Sequence, residues 1–166
     1  VEHSFNVAAL ALNYCIESSH LEHDCFNDYA MAGLFHDIGK SAISPDILDS
    51  PGKLSQEEYM EIQKHPSVGV ELLQSAGFNE IIQQGALEHH LKMDGSGYPS
   101  EQQPTGEIGK LIGIVDTYEA LTNSNRVYRL PLDPIPTLEL IKHEVEAGKY
   151  DRQIFEQFVL SLLDKD

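Results

Sequence analysis

Five of the eight histidines in this sequence, His3, His36, His65, His89 and His90, fall in or beside apolar helical patterns, where an unpaired imidazole is costly to bury. Two carboxylates, Asp37 and Asp116, share that setting. Imidazole and carboxylate donors without a thiolate suit a borderline or hard divalent transition ion in near-octahedral coordination, iron or manganese before zinc. Two such ions offer about twelve positions, of which these side chains, with Asp37 bridging, fill about eight. The remainder is open to water and phosphate oxygens, as in a catalytic centre rather than a structural one. In Phe35-His36-Asp37-Ile38-Gly39-Lys40 the adjacent His and Asp point about 100° apart on a helix, so they can approach one ion from two sides or bridge two. Lys40 lies on the same face, and Gly33 one turn earlier leaves room. Gly113 and Ala120 flank Asp116 in the same way.

Taken singly, each residue has a plainer explanation. His3 alone reads better as a helix-end residue than as a ligand. Asp37 and Lys40 form an i,i+3 pair of a common surface kind, worth about 0.3–0.5 kcal/mol. The His89-His90 doublet suits a solvated helix tip. Those explanations must account for each residue separately, where one metal centre accounts for all of them together. His20, His23 and His143 sit among polar neighbours and read as surface residues.

The elements that must position these side chains are helical. Apolar residues recur at three- and four-residue spacing, and alternating β-branched runs are lacking, so the chain reads as all-α. Periodicity predicts helices over residues 1–18, 27–38, 55–64, 67–76, 79–90, 108–121, 138–147 and 152–163, with ends uncertain by a few residues. Ser55 with Glu58 reads as a capping box, and Asn79 and Asp151 as N-caps. Ser44-Pro45 marks the exit of the second helix, and 131–136 reads as a Pro-rich link. His65, before Pro66, is expected outside the helical region at a sharp junction.

Lys and Arg total 11 against 27 Asp and Glu, a net charge of −16 with His neutral, which argues against a polymeric nucleic-acid ligand. A small polyanion remains admissible where the site supplies its own positive charge. The 166 residues suit one domain, residues 1–166, and the chain opens at Val1 within a helical pattern, as a domain excised from a longer protein would. Cys15 and Cys25 are too few for a disulfide framework, and no apolar run approaches a membrane span, so a cytoplasmic location is expected.

In this order, the motifs resemble the HD-GYP family of bacterial phosphodiesterases within the HD metallohydrolase superfamily, over almost the whole chain. His36-Asp37-Ile-Gly-Lys40 is similar to the HD signature, and Pro51-Gly-Lys-Leu-Ser55 and Lys64-His65-Pro66 to the segment that follows it. His89-His90 with Asp94-Gly95-Ser-Gly97-Tyr98-Pro99 is similar to the HHExxDGxGYP string that names the family. Asp116 matches its last metal aspartate, and Arg126-Val-Tyr128-Arg129 its RPYR element. Leu91 stands where the signature has Glu, Glu119 where it has Asp and Val127 where it has Pro, and the stretch from Thr122 to Arg126 is one residue longer.

The resemblance implies a bundle of about seven helices and hydrolysis of cyclic di-GMP to the linear dinucleotide or GMP by hydroxide held between two divalent ions. Asp37 would hold both ions, His3, His36 and Asp116 completing one and His65, His89 and His90 the other. A third ion in some members uses a Glu one turn before the first histidine, a position that here precedes Val1. Lys40 would neutralise a phosphate oxygen, and Arg126 and Arg129 would grip the second phosphate or a guanine edge. Asp94, Gly95, Gly97, Tyr98 and Pro99 would form an access rim or dock a diguanylate cyclase (GGDEF) domain. Two alternatives stay open: an HD hydrolase acting on another nucleotide such as cyclic GMP-AMP, and a degenerate domain that binds a cyclic dinucleotide or partner without turnover.

Overall fold

A computed structural model describes residues 2–19, 21–50, 52–99, 102–123 and 130–163. Every regular element among them is helical: α1 (Glu2–Glu17), α2 (Phe26–Phe35), α3 (Pro45–Leu48), α4 (Gln56–Ile62), α5 (His65–Ser75), α6 (Glu80–Glu88), α7 (Glu107–Thr122), α8 (Pro134–Glu146) and α9 (Arg152–Ser161). Two 3-10 stretches, His23–Cys25 and Ile38–Ala42, precede α2 and α3. Seven of these α-helices run nine residues or more, and α3 and α4 are short, so the all-α bundle of about seven helices is the architecture found. No helix among the described residues is long and apolar enough to cross a membrane.

α7 is the central helix because it is apolar on several sides. Ile108, Leu111, Ile112, Ile114 and Val115 are all buried along it. α1 lays Val7, Ala11, Tyr14 and Cys15 into the same core, and α8 and α9 add Ile141, Ile154, Phe155 and Phe158. A smaller cluster of Leu73, Ile82 and Ala86, flanked by Phe35, Ile38 and Phe78, ties α5 and α6 to the end of α2. The histidines and aspartates singled out above come from the facing ends of α1, α2, α5 and α6 and from the middle of α7.

Caps set several of these ends as their sequence signals predict. The Ser55 hydroxyl accepts from Glu58 N at 3.2 Å while Ser55 N donates back to the Glu58 carboxylate at 2.7 Å. Asn79 Oδ1 accepts from Ile82 N. Asp151 Oδ1 accepts from Gln153 N and Ile154 N, at 3.0 and 3.2 Å, while its other oxygen meets Lys110 Nζ at 3.2 Å. Asp151→Ala therefore orphans two N–H groups and an ammonium at once. It is expected to cost about 1–2 kcal/mol, read as a lowered thermal midpoint by circular dichroism.

Five boundaries differ from the sequence expectation. α2 ends at Phe35, three residues short of Ile38, and the chain tightens through a turn at His36 and Asp37 into the 3-10 stretch. Ser44-Pro45 opens α3 instead of only closing what precedes it: Ser44 accepts from Asp46 N, and Pro45 occupies a first-turn position where no intrahelical N–H bond is due. For the same reason α8 begins at Pro134, inside the stretch expected to be a link. His65 is the first residue of α5, with Pro66 beside it in the first turn, rather than a non-helical junction. α6 stops at Glu88, so His89 and His90 follow the helix instead of ending it.

Candidate metal centre

The structure brings His3, His36, Asp37, His65, His89, His90 and Asp116 together in one place. His36, His65 and His89 are essentially fully buried. Asp37 stands between two sets of imidazoles. Its Oδ2 lies 3.4 Å from His36 Nε2 and 3.8 Å from His3 Nε2, while its Oδ1 lies 3.2 Å from His65 Nε2 and 3.7 Å from His89 Nε2. Asp116 Oδ1 joins the first set, 3.1 Å from His3 Nε2 and 3.8 Å from His36 Nε2. His90 joins the second, since Asp37, His65, His89 and His90 each offer one donor atom within 4.8 Å of the others.

Backbone geometry decides which nitrogen of each ring faces inward. His36 Nδ1 lies 2.8 Å from Gly33 O, His65 Nδ1 2.7 Å from Ile62 O, and His89 Nδ1 2.8 Å from Ala86 O. A carbonyl oxygen only accepts, so in each ring Nδ1 carries the proton and Nε2 presents a lone pair. Three rings thus use the same device, a carbonyl three residues back. The consequence is a contradiction without a cation. His65 Nε2 and His89 Nε2 are 3.2 Å apart with no proton available between the neutral rings, and His36 Nε2 turns its lone pair toward His3 Nε2, 3.3 Å away. Asp37 Oδ1 faces the same lone pairs and is buried with no hydrogen-bond donor. Lone pairs converging in a buried, donor-poor space fit divalent ions, with the ring protons already turned outward as metal-binding histidines require.

The electrostatics run the same way. Burial alone would raise the pKa of Asp37, but where positive charge sits among His36, His65 and His89 the carboxyl is held far below its usual range. Asp116 is likewise held low, by its bond with His3 and by His36 and His89 against the effect of burial. Burial pushes His90 down from 6.5 to about 2, helped by the neighbouring His89, and lowers His89 as well. In metal-free protein these two rings refuse protons that the unfolded chain accepts, so stability falls as pH drops below 6.5 and keeps falling toward about 2. His3, raised by Asp116 and Glu119 against burial, opposes this with a single group. Denaturant melts in the presence of a chelator are expected to show lower stability at pH 5 than at pH 7.

Lys40 Nζ sits 2.6 Å from Asp37 Oδ2 and is partly exposed, at the mouth of the cluster. The 94–99 loop covers the His90 side. Tyr98 stacks on His90 with ring centroids 4.5 Å apart at 29°, and Tyr98 N donates to His90 O. Asp94 folds this loop by accepting from Ser96 N and Ser96 Oγ, and Gly95 takes a positive φ of 78°. Gly97 lies so close to His90 that a Cβ there would stand 2.2 Å from its carbonyl oxygen. The Tyr98–Pro99 peptide is cis. Leu91, the departure from the signature glutamate, is buried and borders a small void with Met93, Pro104 and Tyr150. Arg126 and Arg129 lie outside the described residues.

Two acidic residues that sequence reasoning did not assign to the site are buried beside it. Glu119 receives the His3 Nδ1 proton and the side-chain amides of Asn6 and Asn123. Its signal was its place one helical turn after Asp116, on the same face. Glu88, directly before the histidine doublet, accepts from Thr105 N, Thr105 Oγ1 and Gly106 N and so pins the segment entering α7 to the end of α6. Nothing in its spacing pointed to that segment.

With this geometry in hand, comparison with known proteins gives a consistent picture. The family described as HD domain matches residues 2–154. The chain is 36% identical over 131 residues to "3'3'-cGAMP-specific phosphodiesterase 1" of Vibrio cholerae, covering 78% of this chain and 30% of that protein. It is 32% identical over 161 residues to "Cyclic di-GMP phosphodiesterase PA4108" of Pseudomonas aeruginosa, covering 95% and 38%. The chain thus spans about a third of the length of these curated relatives. Among solved structures, the HDG"Y"P protein Bd1817 of Bdellovibrio bacteriovorus superposes with a TM-score of 0.72 at 17% identity, over 94% of this chain and 50% of that one. The HD domain of the L. monocytogenes phosphodiesterase PgpH, in complex with cyclic-di-AMP, gives 0.69 at 19% identity, over 97% and 86%. These two likenesses concern the fold.

Proposed function

Because the chain belongs to the HD domain family, whose fold implies bound divalent metal, we propose that it is a metal-dependent cyclic dinucleotide phosphodiesterase acting on cyclic di-GMP. The observation that carries this reading is the division of Asp37, each oxygen of which faces its own pair of imidazole Nε2 atoms. His3, His36 and Asp116 would hold one ion and His65, His89 and His90 the other, with Asp37 shared. Iron or manganese suits this thiolate-free donor set before zinc. Bound there, the ions would supply Lewis acidity toward a phosphoryl oxygen and acidify water near neutral pH.

The chain's own residues do the rest. Gly33, Ile62 and Ala86 carbonyls hold a proton on each Nδ1 and so keep the opposite nitrogens available. Lys40 places a positive charge at the mouth, where a phosphate oxygen would arrive, and exchanges its contact with Asp37 for that oxygen. Tyr98, packed on His90, blocks that ring from turning and excludes water from its outer face. Two divalent ions held by Asp37 and Asp116 would leave a locally positive patch in a chain of net charge −16, which would favour a compact dianion over a long polyanion. Arg126 and Arg129 would take the second phosphate or a guanine edge, and the 94–99 loop is the surface we assign to access or to a diguanylate cyclase domain.

Cyclic GMP-AMP is the second reading, favoured by the 36% identity to a relative named for that substrate. Product analysis under anaerobic conditions, with iron and manganese quantified on the same sample, separates the two. Hydrolysis of cyclic di-GMP ahead of cyclic GMP-AMP supports the first, the reverse order the second. Binding of either without turnover by metal-loaded protein contradicts both.

A further inference from the structure

His3 is oriented by a different device from its partners. Where His36, His65 and His89 lean on main-chain carbonyls three residues back, His3 gives its Nδ1 proton to the carboxylate of Glu119, on another helix. Glu119 is 3% exposed and fully engaged: its Oε2 faces His3, and its Oε1 accepts from Asn6 Nδ2 at 2.8 Å and from Asn123 Nδ2 at 2.5 Å. His3 and Asn6 lie one turn apart on α1, Asp116 and Glu119 one turn apart on α7. Two side chains of α1 are therefore clamped by two of α7, and His3 is held at both nitrogens, by Glu119 at Nδ1 and against Asp116 at Nε2, 3.1 Å away. The Asn6 and Asn123 amides satisfy the far oxygen of Glu119, so the carboxylate cannot turn from the ring without giving up a half-buried donor.

We propose that Glu119 is a positioning residue that selectively tunes the half of the centre built on His3, His36 and Asp116. A carboxylate behind an imidazole fixes the ring and raises its basicity as a ligand more than a carbonyl does, and losing such a partner typically lowers metal affinity 10–100-fold. The half built on His65, His89 and His90 has its own carbonyl supports and no contact with Glu119. The two ion positions are consequently unequal in what they depend on, and only one answers to Glu119. This rests on the two-ion reading above.

The test is titration of chelator-stripped protein with Mn²⁺, comparing the original chain with Glu119→Gln. The amide is isosteric, and its oxygen can still accept from Asn6 and Asn123, so the fold is expected to hold, with unchanged helicity. The original chain is expected to bind two ions, and Glu119→Gln to bind one with unchanged affinity and the other about 10–100-fold more weakly. Nitrogen-15 spectra of the histidine rings report the His3 tautomer independently, with His3 losing its uniform Nδ1–H form in the variant while His36, His65 and His89 keep theirs. Equal weakening of both ions, or full retention of both, overturns the proposal. An original chain that binds no Mn²⁺ overturns the two-ion reading together with it.

Discussion

Asparagine at position 37 is expected to empty both halves of the centre while leaving the metal-free protein as stable as before, or more so. Among the described residues Asp37 is the one side chain whose two oxygens face the two imidazole sets separately, so none of its described neighbours can replace it for either. Outer-shell partners alone are worth 10–100-fold in metal affinity, and a shared ligand more, so binding is expected to fall by roughly 100-fold or more at both positions. Phosphodiester hydrolysis is expected to fall by about three orders of magnitude or more with it. Stability moves the other way for a local reason. In the metal-free chain Asp37 Oδ1 is buried against lone pairs, whereas an amide nitrogen there would donate to His65 or His89. The lost pair with partly exposed Lys40 costs under about 1 kcal/mol. Metal uptake measured beside a chelator-treated thermal melt checks both halves of this expectation; a variant that loses metal only by unfolding contradicts it.

The second large effect is expected from a single methyl group. Gly39 follows the His-Asp pair by two residues, in the 3-10 stretch that crosses α5. A Cβ there would lie 2.0 Å from the His65 carbonyl oxygen and 2.6 Å from Gly69 N. Both are backbone atoms of the helix that carries His65, so neither can swing aside, and the two segments must part by roughly 1 Å. Gly39→Ala is expected to cost about 3 kcal/mol or more, and to move His65 away from Asp37 in whatever fraction still folds. The facing glycine provides the contrast. A Cβ at Gly69 meets nothing nearer than 3.5 Å, so Gly69→Ala should be neutral or slightly stabilising, as helix propensity favours alanine. Denaturant melts of the two variants, read with metal content, test the asymmetry; equal effects would show that the crossing is looser than its distances imply.

These expectations show what was legible beforehand and what was not. The helical class and the helices around the site follow from three- and four-residue spacing, and the capping signals of Ser55, Asn79 and Asp151 are local enough to read directly. The residues that converge were also legible, because buried imidazoles and carboxylates are scarce enough to be conspicuous by type. Helix starts at prolines were misjudged. Pro45, Pro66 and Pro134 all sit in first turns, where proline's missing donor costs nothing; the sequence places Pro66 there, but Ser44-Pro45 reads only as a helix exit and Pro134 as part of a link. Support for the ring nitrogens was invisible for a different reason. Carbonyls of Gly33, Ile62 and Ala86 belong to the backbone, which side-chain types do not report, and Glu119 reaches His3 only after α1 is laid on α7. Gly39 was passed over similarly, since a close crossing is a property of two segments and not of one.

Anomalous diffraction from crystals of manganese-loaded protein, collected across the manganese edge, tests the central claim most directly. The account predicts two peaks about 3.5–4 Å apart on either side of the Asp37 carboxylate, one among His3, His36 and Asp116 and the other among His65, His89 and His90. Peaks elsewhere on the protein, or a fully ordered cluster with no peak, would contradict it.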